Sequence, residues 1–337
     1  MERAGIACVG NWIIDHVKTI TSWPREETLA TILSEELGTG GSAYNVLVDL
    51  SRFRVGIPLY GVGLVGDDAD GRRILQDGRA RGIDMSRVRT VPGVSTSYTD
   101  VMAVKDTGRR TFFHHRGANA LLGPEHISAG ELPCRVLNLG YLLLLDRLDE
   151  PDPEHGTRAA RVLAAARSAG IWTSIDVVSE HSDRFQRIVR PSLPHADFCI
   201  VNEFEAGQTT GREIVRGDSF DWREMEGAAR DLLRLGVRKL AVIHTPQASV
   251  GVSASGEVRW QPSHDLPPGF IAGTVGAGDA FLAGMLVGIH EGWDLGKSLR
   301  FATAAATSCL RHPTTTGGVV SAEEIWRLAG ELPYRKI

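Results

Sequence analysis

The stretch GTVGAGDAFLAGMLVGI, residues 273–289, decides how the rest of the chain is read. Three small residues, Gly276, Ala277 and Gly278, lead into one carboxylate, Asp279, and then into an apolar run. A small-residue turn entering a helix leaves backbone N–H groups unpaired and unobstructed. The positive end of the helix dipole adds to them, so the turn is a candidate anion site. Asp279 falls in the first helical turn, beside that site. Taken alone, the pattern also describes an ordinary turn, because Asp is favoured at helix starts and Gly in turns. The remainder of the chain has to choose between the two.

Outward from this stretch, short apolar runs alternate with amphipathic segments. GIACVG, IPLYGVGLVG, RVLNLG, IWTSIDVV, ADFCIVN and KLAVIH read as buried strands. SAYNVLVDLSRF, ADGRRILQDGRARG, HGTRAARVLAAARSAG and DWREMEGAARDLLRLG read as helices, and Gly82, Gly170 and Gly236 mark helix stops. The alternation implies the α/β class, with a doubly wound and mostly parallel sheet. Residues 12–37 and about 95–116 alternate as extended, β-rich segments that fit no βαβ unit, and are read as a small extra sheet. With no repeat, low-complexity tract or linker, one unit spanning 1–337 with a β appendage is expected.

Composition narrows the partners. A chain of 337 residues that is 42% hydrophobic with a net charge of −4 presents no polyanion-binding signature, so no nucleic acid is expected. The apolar runs are too short for a membrane span or a secretory signal, which points to a cytoplasmic protein with no membrane contact. Cys8, Cys134, Cys199 and Cys309 are far apart, with no CxxC or Cys/His cluster, and read as buried thiols.

GTVGAGDAFLAG resembles the C-terminal signature of the ribokinase-like (PfkB) carbohydrate kinase family. GTGGSAYNVLVDLSRFRVGIPLYGVGLVGDDADG, residues 38–71, resembles its N-terminal signature, and NEFEAGQTTG its Asn-x-x-Glu segment. The order and spacing match over nearly the whole chain. The resemblance implies a three-layer αβα sandwich with a small β-sheet lid formed by the two extended segments. It implies ATP-dependent phosphorylation of a sugar hydroxyl, with Asp279 as general base and the N–H groups of Gly276, Ala277 and Gly278 as an anion hole. Asn202 and Glu205 correspond to the segment that holds Mg²⁺, Glu205 through water. Asp15, Gly40, Gly41, Asn45 and Asn119 take the places of sugar contacts, and Thr274 and His244 lie on the nucleotide side. The family also implies a homodimer through the lid, and allows an activating monovalent cation.

Two places depart from the family pattern. Gly273 stands where an acid usually opens the C-terminal signature. IHTPQAS, residues 243–249, replaces a glycine-containing strand-to-loop segment, and Pro246 removes an N–H donor there. These departures keep a catalytically silent sugar- or nucleotide-binding homologue open beside the kinase, and Trp12, which could stack on a base or pack internally, keeps a nucleoside acceptor open. GVGLVG, residues 61–66, matches a dinucleotide pattern with Asp84 downstream, but Asp67, Asp68 and Asp70 would repel a pyrophosphate. GWDLGKS, residues 292–298, is one residue short of a P-loop and is rejected. His114 and His115 have no partner at metal spacing and are assigned to the lid.

Overall fold

Side chains of successive strand residues point to opposite faces, and in strand Ile6–Gly10 (β1) both faces are buried. Ile6 and Cys8 join one hydrophobic core, while Ala7 and Val9 join the other. A strand apolar on both sides belongs inside a parallel sheet covered by helices. The computed structural model, which describes residues 3–217 and 219–337, has that arrangement.

The central sheet has nine strands. Beyond β1 these are β4 (Leu59–Gly66), β5 (Asp84–Val91), β8 (Val136–Leu142), β9 (Trp172–Val177), β10 (Phe198–Asn202), β11 (Leu240–His244), β12 (Ala248–Ser253) and β13 (Val258–Pro262). Their order is β13-β12-β11-β10-β9-β8-β1-β4-β5. Pairing is parallel from β5 to β11, and β12 and β13 are added antiparallel. Each predicted strand and helix is found, the latter as α1 (Ser42–Phe53), α2 (Ala69–Ala80), α3 (Arg158–Ser168) and α5 (Trp222–Arg234). A short helix α4 (Glu203–Thr210) follows β10.

The stretch 273–289 becomes helix α6 (Ala277–Glu291), buried from Asp279 to Ile289. It packs between α1 and α7 (Leu295–Cys309), with α8 (Ala322–Glu331) outside. A Cβ at Gly284 would meet Ala302 Cα at 2.6 Å, so its glycines let α7 approach closely. GWDLGKS, rejected above as a P-loop, spans the turn between these helices: Gly292 ends α6 with φ +67° and Asp294 caps α7.

The two extended segments form a separate four-stranded sheet, ordered β3-β2-β6-β7. These strands are β2 (Ile13–Ile20), β3 (Ile32–Gly40), β6 (Ser97–Val104) and β7 (Arg110–His115). Trp12 sits just before β2, fully buried, with its ring 5.5 Å from Tyr44 and its Nε1 donating to Val62 O at 3.0 Å. It packs inside the core and meets no ligand space. Gly61 explains part of the false dinucleotide pattern, since a Cβ there would meet the Trp12 ring at 2.7 Å. Asp68 caps α2 and accepts from Thr96 N at 2.6 Å, which ties the entry of β6 to the core. All four cysteines are buried and free.

Candidate active site

In open α/β sheets, ligand sites form beyond the carboxyl ends of the strands. Here those ends deliver Tyr141 from β8, Asp176 from β9, Asn202 from β10 and His244 from β11. They face two cavities, of about 450 and 390 Å³. The first is walled by the strand ends and by Asp15, Thr99, Phe112 and His114 of the small sheet. The second lies between the β11–β12 turn, residues 263–274 and helices α6 and α7. Asn202, His244 and Gly278 line both, so the cavities meet at a neck.

Asp279 is 7% exposed and faces the first cavity. Its Oδ1 accepts from the Tyr141 hydroxyl at 2.7 Å, and its Oδ2 from Asn45 Nδ2 at 2.8 Å. Burial pushes its pKa up to about 6, against the two hydrogen bonds, which favour the charged form. Gly276 opens the helix with φ +86°, and a Cβ there would run into the Thr315 carbonyl. The N–H groups of Gly276, Ala277 and Gly278 have no intrahelical acceptor, as at any helix start. Gly276 lines the first cavity, Ala277 the second and Gly278 both.

On the side away from the neck, Asp15 and Gly41 line the first cavity, and burial raises Asp15 to about 7. Gly40 does not line it, but a Cβ there would collide with the Asp15 carboxylate. Asn119 is not brought to either cavity among the described residues. Its Oδ1 accepts from Trp12 N at 3.2 Å and its Nδ2 donates to Trp12 O at 3.3 Å, so both ends of the amide hold the backbone before β2.

Asn202 and Glu205 form a reciprocal capping box at α4. Glu205 Oε1 accepts from Asn202 Nδ2 at 2.9 Å and from Ser179 Oγ at 2.7 Å, and Oε2 from Asn202 N at 3.0 Å. Burial raises its carboxyl to about 7. No group of three His, Cys, Asp or Glu among the described residues could cage a metal ion. A carboxylate engaged in this way fits a cation held mainly by phosphate oxygens and water, the usual habit of Mg²⁺.

The second cavity carries the departures. Thr245 Oγ1 accepts from Gln247 N and Ala248 N, each at 3.0 Å, and Thr245 N donates to Ala248 O at 2.9 Å. The turn around Pro246 therefore spends its own N–H groups. His244 is held neutral, its pKa lowered to about 4 by burial, with its ring 4.8 Å from Phe281. A Cβ at Gly273 would meet His312 O and Pro313 Cα at 2.9 Å, so the chain segment at 312–313 closes over the position where the family pattern has an acid. Thr274 lines this cavity.

Tyr141, Asp176 and His114 were not singled out as site residues from the sequence. Tyr141 and Asp176 lie at or next to the ends of the strand runs RVLNLG and IWTSIDVV, and that position was the available signal. His114, placed on the small sheet as expected, turns out to line the first cavity.

A buried carboxylate beside a helix N-terminus, at a neck between two chambers, suits phosphoryl transfer to a small hydroxyl-bearing molecule. The chain belongs to the pfkB family of carbohydrate kinases, whose model matches residues 3–321. It is 29% identical to a ribokinase of Arabidopsis thaliana over 91% of this chain and 76% of that protein. It is 28% identical to an ATP-dependent ribose-1-phosphate kinase of Halopiger xanaduensis over 87% of each. The structure of Arabidopsis thaliana ribokinase complexed with ribose and ATP superposes with a TM-score of 0.77 at 22% identity, covering 97% of this chain and 99% of that one. No helix among the described residues is long and apolar enough to cross a membrane.

Proposed function

We propose that the protein transfers the γ-phosphoryl group of ATP to a hydroxyl of a small sugar bound in the first cavity. In this reading Asp279 takes the hydroxyl proton as the hydroxyl oxygen bonds to the γ-phosphorus. The bond from that phosphorus to the bridging oxygen breaks, and ADP leaves with the electron pair. The N–H groups of Gly276, Ala277 and Gly278 hold the charge on the transferred group. The observation that carries the proposal is the neck: Asp279 faces the first chamber while its neighbour Gly278 belongs to both chambers.

Asn202 and Glu205 would hold Mg²⁺ through water, and the ion would offset phosphate charge at the neck, while Arg335 lines the second cavity. His244 has one N–H to offer a phosphate. Thr274 lies on the nucleotide side with it. Asp15, Gly41 and Asn45 contact the sugar, with Gly40 backing Asp15. The small sheet acts as a lid, because Asp15, Thr99, Phe112 and His114 close the chamber from it. Leu37 and Phe113, 42% and 51% exposed, lie in one cross-strand row on its outer face, and support pairing of two copies through the lid.

Burial of Trp12 favours a sugar over a nucleoside, since the aromatic side chain offered to a base lies in the core. The silent-homologue reading is supported by one observation, the N–H groups spent inside the 245–248 turn. A screen of ATP, GTP and pyrophosphate with Mg²⁺ against uncharged sugars and nucleosides separates these readings. Phosphorylated sugar is the expected product. Sugar binding with no product from any donor would leave the silent homologue.

A further inference from the structure

Residues 312–316, between α7 and α8, lie against both the turn that opens α6 and the small sheet. On one side they abut the turn. A Cβ at Gly273 would meet His312 O and Pro313 Cα at 2.9 Å, and one at Gly276 would run into the Thr315 carbonyl oxygen. Gly276 takes φ +86°, and with no side chain there the backbone of the turn rests directly on Thr315. The buried Cys309 Sγ sits 3.1 Å from Thr315 O and 3.6 Å from Val275 O, so the segment and the residue before Gly276 converge on one thiol.

On the other side the same residues hold the small sheet. Thr315 Oγ1 donates to Thr39 O at 2.6 Å, and Thr39 Oγ1 lies 3.1 Å from Thr315 Oγ1 and 3.3 Å from Thr316 Oγ1. Thr39 stands near the end of β3, just ahead of the Gly40–Gly41 junction into α1. Arg110 of β7 donates to Pro313 O at 2.9 Å. Thr315 is 5% exposed and lines the first cavity, so its hydroxyl lies at the seam of small sheet, chamber and turn. A buried hydroxyl donating to a strand carbonyl fixes the distance between the two segments. Such fixing matters at this place, because misplacing reacting groups by about 1 Å costs about 100-fold in rate.

We propose that Thr315 is a positioning residue for phosphoryl transfer. Its hydroxyl ties the lid strand β3 and its carbonyl braces Gly276, so the seating of the lid sets the alignment of the N–H groups at 276–278. The proposal rests on the reading of 276–278 as the anion hole and of the small sheet as the lid. It adds to them a residue from the segment after α7, whose effect is exerted through Gly276.

The test uses the full-length protein and the sugar that binds most tightly in the screen above. Thr315→Val keeps the side-chain shape and removes the hydroxyl, whereas Thr315→Ser keeps the hydroxyl. Each variant is checked for a native melting transition. Initial rates are taken with ATP and Mg²⁺, and calorimetry follows ATP alone, sugar alone, and ADP with aluminium fluoride in the presence of sugar. Aluminium fluoride stands in for the transferring phosphoryl group, so that complex reads the anion hole itself. Thr315→Val is expected to lower kcat about tenfold and to weaken the aluminium fluoride complex by a similar factor, with ATP binding held within about twofold. Thr315→Ser is expected to restore both to within about threefold of wild type. Arg110→Gln removes the neighbouring tie and is expected to lower kcat and the aluminium fluoride affinity together by about threefold, which carries the test if Thr315→Val does not fold. A folded Thr315→Val with unchanged kcat would overturn the proposal and leave the kinase reading standing. So would a loss that serine does not restore, or one that falls on ATP binding instead. Binding of ATP and sugar by the wild type with no turnover and no aluminium fluoride complex would overturn both.

Discussion

The two chambers that meet at Gly278 are held together by different means. The proposed acceptor side carries hydrogen-bonded polar groups: Asn45 and Tyr141 on Asp279, Ser42 on Asp176, and Thr99 on His114. Asp279 itself is held from two sides, by Asn45 and Tyr141. The donor side has an apolar wall of Leu266, Ile271, Phe281 and Leu310, beside a turn that consumes its own N–H groups. In the proposed mechanism the chemistry is therefore concentrated in the acceptor chamber and the neck, and the donor chamber can differ in its loop without disturbing Asp279. The differences at Gly273 and Pro246 fall on the tolerant side.

The comparison breaks most sharply at Asp279. Asp279→Asn is expected to lower kcat about 10³-fold while acceptor binding persists, as measured by steady-state rates and calorimetry. An intact rate would move the base elsewhere. Next in size is Gly276→Ala, which needs φ +86° and meets the Thr315 carbonyl. Displacing the anion hole in this way should cost about 100-fold in kcat. An effect confined to the melting temperature would show that the turn does not serve the reaction.

Smaller effects sharpen the contrast. Asp279 must be ionised to accept a proton, and its pKa is raised to about 6. Activity is thus present above pH 6, and kcat/KM should fall about tenfold per pH unit below it. Tyr141→Phe removes a hydrogen bond that favours the ionised form, so the acid limb should move upward by about one pH unit. A limb that stays put would detach it from Asp279. On the donor side, Gly273→Asp restores the family acid but forces a side chain against His312 O and Pro313, and is expected to destabilise the fold by about 1–3 kcal/mol with no gain in rate. A faster and equally stable variant would show Gly273 to be a defect. Pro246→Ala, at an exposed position, should stay within about 0.5 kcal/mol in both stability and ATP binding.

Much of the fold could be read from local pattern, because buried parallel strands and amphipathic helices each leave a periodic trace. KLAVIH and DWREMEGAARDLLRLG became β11 and α5 with Asp221 as the cap. The turn at 276–279 was legible for the same reason, since its glycines and acid are contiguous. Other features depend on chain segments that meet only in the folded molecule. Asp176 and Tyr141 enter the site because β9 and β8 lie between β10 and β1 in the sheet, an order no local window contains. Trp12 was open between a ligand contact and internal packing, and Asn119 read as a sugar contact, until the fold placed Trp12 on Tyr44 and bound Asn119 to the backbone of Trp12. Gly273 looked like a loss until residues 312 and 313 were found against it.

The most direct measurement follows both chambers and the product on the same sample. Wild-type protein, an uncharged sugar and ATP labelled at the γ position would be mixed with Mg²⁺, with calorimetric binding of each ligand alone. Binding of both ligands together with label on the sugar, lost in Asp279→Asn, is the expected result. Binding of both with the label remaining on ATP would contradict transfer across the neck.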